Sequence, residues 1–184
     1  MANRHHLHML CLTLALVVLA SSATHPALAR LPWAATSGLH FVEAVVNADN
    51  YRAAAGGLAM KKSQSPEVRD FGRALWKDSI EDTRALKWAL TKAEPYVVLP
   101  TQVSTHYMFV IDELLPVSGE AFDQRFIAQQ TASLSEALAL AQAYARWGDD
   151  FDLKEFAARR VPKIEAQLDR IREIGMRHQR TALR

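Results

Sequence analysis

The stretch SGEAFDQRFIAQQTASLSEALALAQAYARWG, residues 118–148, decides how this chain folds. Ile127, Thr131, Leu134, Leu138, Ala141 and Ala145 recur at alternating spacings of four and three residues, which places them on one face of an α-helix. Gln129, Ser133, Glu136 and Arg146 fall off that face. Ser118 reads as the N-cap and Gly148 as the C-terminal stop. A helix with a single apolar stripe is not stable alone in water, so the flanking segments must supply partner helices.

They have the pattern to do so. Downstream, Asp149-Asp150 form a turn and a last helix begins at Phe151 to Arg160, which Pro162 kinks or restarts. Ile164, Leu168, Ile171 and Ile174 carry its stripe, with Gln167 among them. Gly175 weakens its end, and the basic tail to Arg184 is expected to fray. Upstream, Ser104 to Leu115 reads as a shorter helix closed by Pro116. Before it, a helix from Pro66 to about Ala93 has Ser65 as its cap and Pro66 in the first position, where a missing N–H does no harm. Its stripe is Val68, Phe71, Leu75, Ser79, Thr83, Leu86 and Leu90. The first helix opens at Ser37, runs to about Lys62, and turns Phe41, Val45, Ala48, Arg52, Ala55 and Ala59 inward. Gly56-Gly57 in that helix reads as a site of close helix packing. No period-two strand pattern occurs. The predicted architecture is all-α: a four-helix bundle with a short crossover helix between the second and third long helices.

The N-terminus reads as a signal peptide. Arg4 is followed by the uncharged apolar run Leu10 to Ala20 and by Ala27-Leu28-Ala29, which places cleavage after Ala29. Residues 1–29 are then the signal, and residues 30–184 one domain, periplasmic or secreted. The apolar run is shorter than the ~20 residues of a spanning helix, so no stable membrane span is expected after cleavage. Cys11 is the only cysteine and leaves with the signal, so the mature domain relies on its core without disulfides. A net charge of +2 with interleaved signs argues against a nucleic-acid partner. His40, His106 and His178 lack the companions of a nucleophile–base pair, and no phosphate-binding or nucleophile-elbow motif occurs. The expectation is a protein that is not an enzyme, with no catalytic residues.

An ordered series of residues carries a family resemblance. Phe41-Val42, Gly56, Leu58-Ala59, Ser65, Val68, Phe71 and Asp78 are followed by Pro100, Ser118-Gly119, Phe122-Asp123, Phe156-Ala157-Ala158 and Pro162. This resembles the exported bacterial family catalogued as domain of unknown function 4142, which implies a ferritin-like bundle. The family usually carries a glutamate in the first helix, an Asp-His pair in the second, a histidine in the long helix and a histidine after the late proline. Here those positions are Arg52, Ser79, Leu134 and Gln167, and only Asp78 of the Asp-His pair remains.

A ferritin-type dimetal centre needs converging carboxylates and Glu-x-x-His pairs. This chain has no Glu-x-x-His, and an arginine stands where a carboxylate would. Arg52, Asp78, Ser79, Leu134 and Gln167 therefore read as a degenerate inner site, with no metal ligand and no cofactor expected. A buried arginine must be paired. Asp78, or Asp49 if its side chain turns inward, together with Gln167, Ser79 or Thr83, are the candidate partners. The expected role is non-catalytic binding to an unknown cell-envelope protein. The alternatives are a metal-binding or redox bundle with other ligands, and a small-anion binder at Arg52.

Overall fold

The computed structural model describes residues 37–92, 99 and 101–182. The signal peptide, the leader that follows it, and the Glu94-Pro95 and Pro100 breaks lie outside the described residues. The described residues form helices without strands. They are α1 (Gly38–Lys62), α2 (Pro66–Leu90), α3 (Thr105–Asp112), α4 (Gly119–Trp147) and α5 (Phe151–Ala182).

Local chemistry explains the boundaries. Lys61 and Lys62 sit in the last turn of α1, where the free carbonyls favour positive charge. Ser65 accepts a hydrogen bond from the Val68 amide and Pro66 opens α2. Gly119 takes a positive φ of 58° at the start of α4. Asp150 accepts from the Leu153 amide at 2.9 Å and starts α5. Pro162 lies inside α5, which continues past it and past Gly175 to Ala182. The helix therefore does not restart at Pro162, and the fraying expected after Gly175 is not found. Ile174 is buried, and Gly175 faces α4, where an added Cβ would stand 3.1 Å from Ile127.

α1 pairs chiefly with α2 and α4 with α5, while α1 also meets α4 and α2 meets α5. Residue pairings give the directions. Asp82 faces Lys163, Asp78 faces Gln167 and Glu67 faces Arg177, so α2 and α5 are antiparallel. Phe41 stacks on Tyr144 and Arg52 reaches Ser133, so α1 and α4 are antiparallel too. The diagonal helices α2 and α4 are then parallel, and the chain between them must travel the length of the bundle. α3 lies on that return and rests against α1, where Tyr107 stacks on Tyr51 with ring centroids 4.7 Å apart.

The α1–α2 contact is tightest at Gly56 and Gly72. A Cβ on Gly56 would lie 2.4 Å from the Gly72 carbonyl oxygen, whereas Gly57 faces open space. Close packing thus explains the first glycine of the pair and not the second.

Two apolar clusters fill the interior. One gathers Ala55, Val68, Phe71, Phe122, Phe126 and Ile171 toward the α1–α2 turn. The other gathers Phe41, Val45, Leu86, Tyr144 and Phe156 toward the far end. The stripes expected on α1 and on the second half of α5 are the buried ones. On α4 the inner face is rotated from the expected one. Phe122, Phe126, Gln130, Ser133, Leu134, Ala141 and Tyr144 are buried, while Ile127, Thr131 and Leu138 are half-buried. Apolar periodicity misplaces this face because part of the interior beside α4 is polar.

Candidate functional site

Between the two apolar clusters lies a layer of charge. Asp49, only 1% exposed, sits one turn before Arg52 on α1, so both side chains enter the bundle from one face. Asp49 Oδ1 accepts from Arg52 Nη2 and from Arg160 Nη2, the latter at 2.8 Å. Asp49 Oδ2 accepts from Arg160 Nη1 at 3.1 Å, making the Arg160 contact bidentate. The second arginine therefore comes from α5, diagonally across the bundle. Arg52 Nη1 reaches Ser133 Oγ of α4 at 3.5 Å.

The charges continue toward the surface between α2 and α5. Arg160 Nη2 stands 3.3 Å from Asp82 Oδ2, and Lys163 Nζ donates to Asp82 Oδ1 at 2.9 Å. Lys163 Nζ is also 3.6 Å from Asp78 Oδ1, and Gln167 Nε2 donates to Asp78 Oδ2 at 2.6 Å. Arg52, Arg160 and Lys163 are thus matched in number by Asp49, Asp82 and Asp78. Burial opposes the charge on Arg160, but Asp49 and Asp82 more than offset it and hold its pKa above the ordinary arginine value. Lys163 is raised as well: burial lowers it, and the hydrogen bond and charge of Asp82 prevail.

Beside Arg52, Tyr51 Oη accepts from Gln130 Nε2 at 2.9 Å and donates to Gln129 Oε1 at 3.2 Å. Burial pushes the Tyr51 hydroxyl well above the usual phenol range, so it stays neutral.

Of the five residues singled out in the sequence, Arg52, Ser79 and Leu134 are buried. Arg52 belongs to the charged layer, and Leu134 to the apolar cluster near the α1–α2 turn. Ser79 contributes its carbonyl to the Thr83 hydroxyl. Asp78 and Gln167 pair with each other in a shallow groove between α2 and α5, bordered by Phe71, Lys163 and Arg170. Arg52 is satisfied by Asp49 and Ser133, and neither Gln167 nor Asp78 bonds to it.

Arg160, Asp82 and Lys163 were not singled out, although Arg160 lies four residues after Phe156 and four before Ile164 on the α5 stripe. That register was the available signal. Chemically, the layer ties all four long helices together. Its carboxylates are already engaged by guanidinium, ammonium or amide donors.

A separate set of donors lies where α4 begins and α5 ends. One ligand atom each from Glu120, Asp123 and His178 lies within 4.8 Å of the others. His178 was expected in a fraying tail, but it belongs to α5 and is largely covered, its side chain 14% exposed.

Among the described residues, fold and interior together define a helical bundle of four long helices and one short crossover helix, with an ion-paired polar layer between two apolar clusters. The chain belongs to the family described as Domain of unknown function (DUF4142), whose profile matches residues 23–174. No curated protein matches it. Among solved structures it is similar to "CopM in the Cu(II)-bound form", with a TM-score of 0.64, 14% sequence identity, and coverage of 77% of this chain and 97% of that one. At that identity the likeness concerns the fold. No described helix is long and apolar enough to cross a membrane.

Proposed function

We propose that this is an exported, non-catalytic binding protein of the cell envelope, ferritin-like in arrangement, whose inner site has been converted from ligand binding to structural cross-bracing. One observation carries this reading: Asp49 bridges Arg52 and Arg160 inside the bundle. A small anion at Arg52 would have to displace the protein's own carboxylate, which is already in place at no cost in translational freedom. Of the aromatic residues Trp76, Trp88, Tyr144 and Trp147, Tyr144 is buried, and the exposed indoles of the other three are candidate contacts for an envelope partner.

Thermal-shift screening with acetate, citrate and phosphate tests the closed interior. The expected result is no stabilisation that depends on Arg52. A shift present in the wild type and lost in Arg52→Met would establish an anion site instead. For the partner, a specific protein should co-purify from envelope extracts and be lost on Trp88→Ala or Trp147→Ala. Pull-downs that stay clean at several salt concentrations would count against the interaction role.

A second reading, a metal-binding bundle, is supported by the fold likeness to a protein solved with Cu(II) and by the donor set of Glu120, Asp123 and His178. These donors lie outside the ion-paired layer, so the two readings stand or fall separately.

A further inference from the structure

We infer that Glu120, Asp123 and His178 form a binding site for one divalent first-row transition cation, joining the start of α4 to the end of α5. Glu120 and Asp123 are three apart on α4, which puts them on the same helical face. His178 comes from near the end of α5, with Nε2 3.7 Å from Asp123 Oδ2.

Three observations make this more than a cluster of acids. First, Asp123 is 2% exposed, and its Oδ1 has no hydrogen-bond donor among the described residues. A buried carboxylate oxygen without a donor is costly unless a cation or proton meets it. Neighbouring cations are engaged elsewhere: Arg125 donates to the Glu113 carbonyl, Arg177 pairs with Glu67 and Glu173, and Lys62 donates to the carbonyls of Leu115 and Val117. No amide of the first turn of α4 donates to it.

Second, His178 Nδ1 lies 3.2 Å from the Ile174 carbonyl oxygen. A carbonyl only accepts, so the hydrogen bond places the proton on Nδ1. Nε2, on the other side of the ring, faces Asp123 and is the nitrogen left to bind a cation. An imidazole that donates its other N–H to a backbone carbonyl is oriented as metal-binding histidines are.

Third, the donors match the charge and chemical preference of the ion. Two carboxylates offset a dication, and one imidazole with two carboxylate oxygens suits a borderline metal such as zinc better than magnesium or calcium. Ligand bonds of about 2.0–2.2 Å at tetrahedral angles place donors roughly 3.4 Å apart. The three atoms, within 4.8 Å of one another, are a little over an ångström further apart than that spacing at most. Exposed Glu120, held by Gln124 at 3.1 Å, is the movable arm, and the solvent side leaves room for water ligands.

The proposal rests on these donors and not on the ion-paired interior, so its failure leaves that reading intact. The test is calorimetric titration of Zn²⁺ into tag-free protein freed of metal by chelator, with Mg²⁺ in parallel. One Zn²⁺ per chain is expected, with affinity falling at least about tenfold in His178→Ala and in Asp123→Asn. Zn²⁺ should also raise Tm in a concentration-dependent way in the wild type and not in these variants. His178 is near a helix end, so His178→Ala carries the test if Asp123→Asn folds poorly. Absence of Zn²⁺ binding, binding that survives both substitutions, or equal affinity for Mg²⁺ would each overturn the assignment.

Discussion

Asp49→Ala is the sharpest probe of the interior. Asp49 accepts from Arg52 and, through both oxygens, from Arg160, which are 2% and 5% exposed. Removing it leaves Arg52 with the long contact to Ser133, and Arg160 with Asp82 at 3.3 Å. Breaking a buried ion pair from one side costs about 3–5 kcal/mol, because the surviving charge remains out of water. Against a total stability of about 5–15 kcal/mol, that is a large share. For a domain of this size it corresponds to a drop in Tm of about 6–20 °C. Urea unfolding monitored by circular dichroism reads the loss directly, provided the slope of the transition is unchanged. Arg52→Met should cost much less, since Asp49 keeps its bidentate partner. The combined variant Asp49→Leu, Arg52→Met, Arg160→Met should recover most of the stability, since well-packed apolar residues can replace a buried ionic group. A loss below about 1 kcal/mol in Asp49→Ala would refute the reasoning, because the guanidinium groups would then be reaching water.

Other substitutions and conditions have equally definite outcomes. Gly56→Ala should lower unfolding stability by about 1–3 kcal/mol, because its Cβ would meet the Gly72 carbonyl oxygen at 2.4 Å. Gly57→Ala, which meets nothing within 4 Å, should raise it by up to about 1 kcal/mol in the same denaturant assay. Ser65→Ala removes the cap on the Val68 amide and should cost about 1 kcal/mol. Tyr51, Tyr144, Arg160 and Lys163 all have raised pKa values in the fold, so the folded state holds protons that the unfolded chain releases first. Stability contributed by these groups is therefore complete below the unfolded tyrosine value of 10.0 and declines as pH rises beyond it. Denaturation midpoints measured on either side of pH 10.0 should show this decline, and Tyr51→Phe should make it shallower.

The helices of this bundle were legible because each has boundary chemistry independent of its neighbours. Ser65-Pro66 and Gly148 place helix ends correctly without any tertiary information. The stripes of α1 and of the second half of α5 were readable because apolar side chains dominate them. α4 was misread by about one position, since Gln130 and Ser133 point inward to meet Tyr51 and Arg52. Hydropathy carries no sign of a polar residue that will find a partner on another helix. Arg52 was identifiable as an inner cation, but its pairing with Arg160 through Asp49 joins α1 to α5 across 111 positions of sequence. The Glu120, Asp123 and His178 set escaped for a related reason. Glu120 and Asp123 are adjacent on one helix, and their histidine arrives from a segment that Gly175 had marked as unstable.

The charged layer also governs how the two halves of the molecule assemble. α1–α2 and α4–α5 are hairpins closed by short turns and formed from local contacts, which are the quickest to assemble. Every pairing from Arg160 or Lys163 to Asp49, Asp82 or Asp78 crosses from one hairpin to the other. Docking the hairpins one helical turn out of step, about 5.4 Å, would still bring apolar surface against apolar surface. It would also pull the Arg160 guanidinium away from Asp49 and Asp82 in a dry interior. The layer thus works as a checksum on assembly: it adds little to the correct arrangement that apolar packing could not supply, and it penalises the slipped one. The neutral combined variant should accordingly be stable and yet less singular, with broadened amide resonances where the hairpins meet.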